Sequence, residues 1–335
     1  MKNTVYVIAF LFLLLFLYFL LVGTNRCHAG TNPQGMILRV PQEYPTIQAA
    51  INAAQNSDTV LVSEGTYYEN IQYRGKGVVV TSGYFITKDW QTVFSTVIDG
   101  STCANKDTAS TVLFLESEDS TAVLDGFTIT GGTGTRHLGV MTVQEGAGIF
   151  LSYSSAIIRN NYIVKNTIMP QAGVNNGGGG GISSYYGNPG IYNNIIVSNT
   201  AGYAGGIVLN WSKGKIRNNI VYHNIATLQW GCGGIMVWQA PQNGGIVENN
   251  TIVGNVSLAD AGGISISVTD ATTIPVVRNN IIWGNRQATG GQVTSPEYIT
   301  YNNVEDYSAG ENISTFPQLQ EGPFILSAAS PCVDA

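Results

Sequence analysis

The chain has 335 residues, of which 44% are hydrophobic, 11% are charged and 40 are Gly. The low charge and the many turn-forming residues disfavour a coiled coil, a membrane bundle and a disordered polyampholyte. The sequence also contains 30 Asn, which shares with Gly the ability to adopt left-handed turn conformations. The composition therefore predicts an all-β globular chain that changes direction often.

Residues 1–29 have the pattern of a secretory signal peptide. Lys2 precedes an uncharged apolar run over residues 5–22, and small or polar residues then lead to Ala29. The run is near the lower limit of length for a membrane span, so an uncleaved anchor is the alternative. We expect a secreted or cell-surface protein that contacts a membrane only through residues 5–22, if these are retained.

Removal of residues 1–29 would leave an acidic chain with few cysteines. The remainder has 13 bases against 21 acids, a net charge of −8, which disfavours nucleic acid as a partner. A polyanionic glycan would also be repelled unless a bound cation or a local basic patch intervened. Only Cys103, Cys232 and Cys332 remain, so at most one internal disulfide can form.

A short amphipathic helix is predicted near the start of the mature chain. Pro45 blocks a helix upstream and Thr46 is a suitable N-cap. Apolar residues then follow at helical spacing: Ile47, Ala50, Ile51 and Ala54. Since strands begin soon afterwards, at residues 59–62, we expect this helix to cap the open end of a β core.

The second half of the chain contains a repeat. Six Asn-Asn pairs recur in register at gaps of 33, 25, 31, 30 and 23 residues, beginning at Asn160, Asn193, Asn218, Asn249, Asn279 and Asn302. Five pairs are followed by a further Asn at the same offset: Asn166, Asn199, Asn224, Asn255 and Asn285. Aliphatic columns flank the pairs. A second motif, Gly-Gly-Ile or Gly-Ala-Gly-Ile and here called the Gly-rich landmark, recurs with its Ile at Ile149, Ile182, Ile207, Ile235 and Ile264. Such periodicity is typical of a solenoid.

The period favours a right-handed parallel β-helix with three short strands per turn. Stacked turns would place identical side chains in ladders, with Asn at the bends and aliphatic columns inside. At about 28 residues per turn, residues 59–304 would form roughly nine turns. The predicted organisation is a signal peptide or anchor at 1–29, an N-terminal segment with the capping helix at 30–58, the β-helix at 59–304 and a closing segment at 305–335.

Several sequence segments resemble those of the pectin-lyase-like superfamily of right-handed β-helices. These segments are residues 40–51, 58–60 and 65–70, Leu-Asp-Gly-Phe-Thr-Ile at 124–129 and the last six residues, 330–335. The resemblance covers nearly all of residues 36–335 and implies the fold and a secreted repeat protein. It implies no single activity, because this fold carries lyases, hydrolases, esterases, epimerases and non-catalytic surface proteins.

The sequence lacks the catalytic motifs of the enzymes in this superfamily. The chain resembles pectin methylesterases at residues 65–69 but has no counterpart of their later Asp-containing segments, so we interpret Glu69 as structural. The Gly-His-Gly segment of polygalacturonases is also absent. Calcium-dependent lyases need an acidic cluster for the metal, and the best such cluster here, Glu116, Glu118 and Asp119, is interpreted as a solvated turn.

One outward ladder carries alternating charges. Arg159, Tyr192, Arg217, Glu248 and Arg278 each precede an Asn-Asn pair, so they should stack one turn apart. A lyase base could lie in this row, but a ladder of neutralising charges is the simpler interpretation.

The strand that begins with the Gly-rich landmark carries an outward row rich in aromatic residues. In the superfamily the binding groove usually lies over this strand. Alternation sends Ser152, Tyr185, Asn210, Trp238 and Ser267 outward, and this row contains no carboxylate, which disfavours two-carboxylate hydrolysis. The predicted carbohydrate-binding residues are Tyr185, Tyr203, Trp211, Trp230 and Trp238, because flat rings can stack on sugars. The alternative is that these rings merely cover one another.

Three hypotheses for function follow. The first is a secreted or cell-surface β-helix that binds a polysaccharide. The second is a lyase or epimerase acting on a uronate-containing glycan, with Arg217 or Arg278 as base and a bound cation such as Ca²⁺. The third is a non-catalytic structural spacer. Whether the protein is an enzyme stays open at this point.

Overall fold

The computed structural model describes residues 35–138, 142–228, 230–241, 244–258, 260–268, 274–288, 291–320, 326–327, 330 and 332. The predicted signal peptide or anchor at 1–29 lies outside the described residues. Within them, strands predominate, and most strands belong to three long parallel sheets. No helix in this part of the chain is long and apolar enough to cross a membrane.

The three parallel sheets form the faces of a coil. The strands of the ten-stranded sheet are Ile37–Val40, Thr59–Val62, Val79–Ser82, Val123–Asp125, Ile157–Arg159, Gly190–Tyr192, Lys215–Arg217, Ile246–Glu248, Val276–Arg278 and Ile299–Thr300. Those of the nine-stranded sheet are Gly65–Tyr67, Thr96–Asp99, Thr128–Thr130, Tyr162–Val164, Ile195–Val197, Ile220–Tyr222, Thr251–Val253, Ile281–Trp283 and Asn303–Val304. Those of the seven-stranded sheet are Ile71–Gln72, Val112–Phe114, Ile149–Ser152, Ile182–Tyr185, Ile207–Asn210, Ile235–Trp238 and Ile264–Ser267.

Within these three sheets, successive strands pair in parallel, each with its equivalent one turn later. Ile158, for example, pairs with Ile191, which pairs with Ile216. The predicted parallel β-helix is thereby confirmed, and it has about ten rungs, one per strand of the ten-stranded sheet. The predicted nine turns began at residue 59, whereas the first strand, Ile37–Val40, precedes the helix and pairs with Thr59–Val62.

The aliphatic columns fill the interior of the coil. The residues of both columns are between 0% and 2% exposed: Ile158, Ile191, Ile216, Val247, Val277, Ile163, Ile196, Val221, Ile252 and Ile282. The Ile residues of the Gly-rich landmark are also fully buried. The hydrophobic effect therefore stabilises these five rungs through the same three inward positions.

Two buried asparagine ladders run along the bends. In the first, each side-chain Nδ2 donates to the Oδ1 one turn later at 2.9–3.1 Å, through Asn161, Asn194, Asn219, Asn250, Asn280 and Asn302. Asn302 then ends this ladder by donating at 3.2 Å to Asn312, which lies 10 residues further along the chain. The second uses Asn166, Asn199, Asn224, Asn255 and Asn285 and ends on Gln292. Each Oδ1 also accepts from a backbone N–H of the preceding turn, so the ladders satisfy buried backbone groups at the corners.

The two residues of an Asn-Asn pair have different tasks. The first adopts the left-handed conformation, with φ of +55° at Asn160 and +57° at Asn218, and the second joins the ladder. The prediction that all six pairs are in register is wrong for the last one. There Tyr301 adopts the left-handed conformation and Asn302 joins the ladder. Asn303 already belongs to the following strand, where it pairs with Ile281 of the preceding turn.

The capping helix is confirmed at Ile47–Ala53. Ile47, Ala50 and Ile51 are fully buried against the first rungs, and the Thr46 side chain accepts from the backbone N–H of Ala49. Glu69 accepts the N–H groups of Ile47 and Gln48 at 2.9 Å each. The interpretation of Glu69 as structural is therefore confirmed, because its carboxylate satisfies orphan donors at the positive end of the helix.

Two insertions depart from the predicted succession of strands after the capping helix. The first contains two short helices, Tyr84–Thr87 and Trp90–Ser95, and Asp89 caps the second by accepting from Gln91 N–H at 3.0 Å. The second follows Thr128–Thr130 and contains the strands Gly134–Leu138 and Thr142–Glu145. They form a four-stranded sheet together with Thr108–Ala109 and Asn175–Asn176.

The remaining elements are small. A three-stranded sheet contains Thr200–Ala201, Ile225–Ala226 and Val256–Ser257, and single 3₁₀ turns lie at Gly100–Thr102 and Pro296–Tyr298. Cys103, Cys232 and Cys332 are all free thiols. Burial raises the pKa of the Cys232 thiol to about 12, so this side chain is an inert part of the packing.

Candidate functional site

The predicted outward row on the seven-stranded sheet is confirmed. Ser152 pairs with Tyr185, Tyr185 with Asn210, Asn210 with Trp238 and Trp238 with Ser267, each one turn apart. The row lies on strands whose inward residues are buried, so its side chains are held by a rigid sheet. Its central residues, Tyr185, Asn210 and Trp238, line a recess.

All five aromatic residues predicted to bind carbohydrate line one recess, here called the aromatic cleft. Its volume is about 700 Å³. Besides the five aromatic residues, the lining consists of His137, Val143, Glu145, Asn175, Asn176, Asn210, Leu228 and Gln239. Trp211 and Gln239 both follow strand ends in the left-handed conformation, with φ of +48° at each. Side chains from several rungs therefore converge on one place.

The rings of the cleft also pack on one another. Tyr203 stacks on Trp230, with centroids 4.9 Å apart and planes at 16°. Trp230 lies 6.3 Å from Trp238, and Tyr185 meets Trp211 edge to face at 5.6 Å. Tyr203 is only 7% exposed, whereas Trp230 is 45% exposed. Tyr203 thus supports Trp230 from below, and Trp230 keeps a large surface free for a ligand.

A buried carboxyl group lies beneath the aromatic rings. Glu145 is 2% exposed and accepts hydrogen bonds from the hydroxyl groups of Tyr203 and Ser183, the latter at 2.9 Å. The Asn210 amide donates to the same carboxyl group at 3.3 Å. Burial raises the pKa of Glu145, and burial next to this acid raises the pKa of Tyr203 well above its usual range. Both oxygens of Glu145 are occupied by protein donors, so its task is to hold the Tyr203 ring.

His137 closes another side of the cleft. Its ring lies 4.1 Å from the Tyr185 ring and 5.6 Å from that of Phe150. The buried Nε2 atom has no protein hydrogen-bond partner. Burial lowers the pKa of His137, so the imidazole is neutral at pH 7.

The buried acid makes stability depend on pH. The pKa of Glu145 is higher in the folded chain than its ordinary value of 4.5, so the folded state binds this proton more tightly than the unfolded state. The free energy of unfolding should therefore fall as pH rises from about 4.5 through the raised pKa, and then level off. Subtracting the Glu145→Gln profile from the wild-type profile isolates this fall. Parallel profiles across that range would contradict the prediction.

Sequence reasoning missed Glu145 and His137. The outward row itself has no carboxylate, as predicted, but the inserted hairpin of Gly134–Leu138 and Thr142–Glu145 brings one into the cleft. The usable signal was the extra length between the segment ending at Ile129 and the landmark Ile149. Such extra length predicts an inserted element but not what that element covers.

The charge ladder is confirmed and lies elsewhere, on the ten-stranded sheet. Glu248 binds Arg217 at 2.6 Å and Arg278 at 3.0 Å, and Arg159 binds Asp125 at 2.9 Å. Neither Arg217 nor Arg278 lines the aromatic cleft. The ladder is a set of neutralising ion pairs between turns.

The acidic residues at 116–119 form a turn, but not a fully solvated one. Glu118 is 2% exposed and accepts the backbone N–H groups of Gly75 and Glu116 at 3.0 and 3.1 Å. Asp119 accepts from the N–H of Thr121 at 2.8 Å. The interpretation as a solvated turn is therefore wrong for Glu118, which pins two loops together.

The comparison with protein families agrees with this architecture. The model of the family described as "Right handed beta helix region" matches residues 117–304, which is more than half of the chain. No curated protein matches the chain. β-Helix domains are often carbohydrate-active, and the match specifies no activity beyond that. The parallel rungs, the asparagine ladders and this match together show that the chain belongs to the right-handed β-helix family.

Proposed function

We propose that the aromatic cleft binds a polysaccharide and that the protein is a polysaccharide-binding β-helix located outside the cell or at its surface. The observation that carries this proposal is the convergence of five aromatic side chains on one cleft of about 700 Å³. That volume is within the range of small-ligand sites, roughly 300–1,000 Å³. The apolar run at residues 5–22 is the support for the location.

The lining has the mixture of surfaces that a sugar ring needs. The exposed part of Trp230 and the neighbouring Trp238 offer aromatic surface to the C–H faces of a sugar. The amide groups of Asn175 and Gln239 can donate to and accept from hydroxyl groups. The cleft can therefore contact both the apolar faces and the hydroxyl groups of a sugar ring.

The state of the acid favours binding over hydrolysis. Among the described lining residues, Glu145 is the one carboxylate, and its oxygens are taken up by Ser183, Tyr203 and Asn210. Glycoside hydrolysis generally uses two carboxyl groups on opposite sides of the scissile bond. A single occupied acid does not supply that pair.

The lyase or epimerase alternative has less support. Its candidate bases, Arg217 and Arg278, are both ion-paired with Glu248 on a sheet other than the one that forms the cleft. A proton-abstracting base must reach the substrate, and these guanidinium groups do not line the cleft. Calcium-dependent formation of unsaturated product, lost in Arg217→Ala or Arg278→Ala, would establish this alternative in place of the proposal.

The test is binding of the purified protein to a panel of polysaccharides, with and without Ca²⁺, while unsaturated products and new reducing ends are recorded. Trp238→Ala should weaken binding about tenfold, because an aromatic contact contributes roughly 0.5–1.5 kcal/mol beyond its buried area. Binding can be measured by calorimetry or by retardation in gels containing the polymer.

Tyr68→Ala is the matched control for Trp238→Ala. Tyr68 is 63% exposed and lies outside the cleft, so its removal should leave glycan affinity unchanged. Equal loss in both variants would contradict the assignment of the cleft. Failure to bind or change any polymer would favour the third hypothesis, the structural spacer.

A further inference from the structure

The charges in and around the cleft bear on which class of glycan it can bind. Among the described residues that line it, none is Lys or Arg. Its titratable groups are the buried acid Glu145, the neutral His137 and tyrosines. The whole chain also carries a net charge of −6. The described lining therefore carries no positive charge, and the chain as a whole is negatively charged.

A uronate would meet this lining at a cost. A carboxylate that enters the cleft loses water, and an unpaired charge in such surroundings is strongly disfavoured. Glu145 can only be neutral or negative, and it already accepts from its three neighbours. No described lining residue offers a positive charge in compensation.

A hydroxyl group would meet neutral polar side chains in the lining. Asn175 is exposed and Gln239 is half-buried, and both belong to the cleft. Each amide can donate to a hydroxyl group through its nitrogen and accept from it through its oxygen. A carboxylate has no hydrogen to offer to these amide oxygens, whereas a sugar hydroxyl has one.

We propose that the aromatic cleft selects neutral glycans, whose sugars carry hydroxymethyl or hydroxyl groups where uronates carry carboxylates. The inference rests on the proposed function and adds the substrate class. It separates this chain from β-helices that act on pectin-type polymers, since those ligands are polyanions. Selection arises from aromatic contact combined with the absence of a cation among the described lining residues.

The experiment compares polymers that share a backbone but differ at C6. Glucan, mannan and galactan oligosaccharides are each paired with the corresponding uronate oligosaccharides and titrated into the purified protein. At least one neutral member should bind, and its uronate counterpart should bind at least about tenfold more weakly. Binding of the neutral member should also be insensitive to salt, because no ion pair is formed.

A charge-insertion variant makes the comparison sharper. Gln239→Arg places a cation in the cleft lining and should raise uronate affinity by about tenfold. Tyr68→Arg changes the net charge equally at an exposed position outside the cleft and should leave the preference unchanged.

The outcomes separate the inference from the proposed function. Equal or tighter binding of the uronate members by the wild-type protein would overturn the neutral-glycan inference and leave glycan binding in place. Failure to bind every oligosaccharide of both classes would overturn both. A gain of uronate affinity in Tyr68→Arg equal to that in Gln239→Arg would show that overall charge, not the cleft, sets the preference, and would also overturn the inference.

Discussion

Asn219→Ala is expected to lower the free energy of unfolding by about 3–5 kcal/mol. Asn219 is 1% exposed, and its Nδ2 donates to Ile191 O, Arg217 O and Asn250 Oδ1 at 2.9–3.0 Å. Its Oδ1 accepts both the backbone and the side-chain N–H groups of Asn194. Alanine would leave several buried polar groups of three adjacent turns without partners. Denaturant unfolding followed by tryptophan fluorescence measures the loss.

The neighbouring residue provides the control. Asn218 is exposed and adopts a φ of +57°, a conformation that Gly accepts without steric cost. Asn218→Gly should therefore change stability by less than about 1 kcal/mol. If the two variants unfold at the same denaturant concentration, the ladder is not the element that stabilises the corners.

Glu145→Ala is expected to lower the free energy of unfolding by about 2–4 kcal/mol and to abolish glycan binding. The change removes the acceptor for Tyr203, Ser183 and Asn210 and leaves a cavity under the rings. Without that acceptor, Tyr203 no longer has a fixed position, and Trp230, which stacks on it at 4.9 Å, loses its support. Unfolding and oligosaccharide titration on the same preparation measure both effects.

Two variants show whether this effect belongs to the buried network. Glu145→Gln keeps the shape and most hydrogen bonds, so it should retain binding within about threefold, a difference of less than 1 kcal/mol. Glu64 is exposed and lies outside the cleft, so Glu64→Ala should change stability by less than about 0.5 kcal/mol. Full binding by Glu145→Ala would contradict the supporting role of the carboxyl group.

These two sites differ in how far their effects reach. In a solenoid, each turn contacts only its neighbours, so an interrupted ladder weakens the interface between adjacent turns and with it the cooperativity of the whole rod. The Glu145 network instead connects an inserted hairpin to the outside of the seven-stranded sheet. We therefore expect broadened unfolding in Asn219→Ala and a local loss of function in Glu145→Ala.

Much of the candidate site was predictable, because four of its aromatic residues lie in or next to repeated positions. Tyr185 and Trp238 follow their landmark Ile by three residues, so their outward direction follows from alternation alone. Trp211 directly follows a residue of the same row, and Tyr203 lies just before a landmark. Periodicity could not show that Tyr203 would be buried under Trp230, because that depends on how the loops fold over the sheet.

The sequence by itself determined the coil, its ladders and its cap. The reason is that every contact of this kind joins equivalent positions one period apart, so the spacing of Asn161, Asn194 and Asn219 already names the partners. The capping helix was equally predictable, because its N-cap Thr46 and its apolar spacing are properties of one short segment. Only the tertiary structure decided which non-repeated side chains join the aromatic residues in the cleft. Glu145 and His137 reach it through a hairpin that pairs antiparallel to Thr108–Ala109, a non-periodic contact whose partners no repeat specifies.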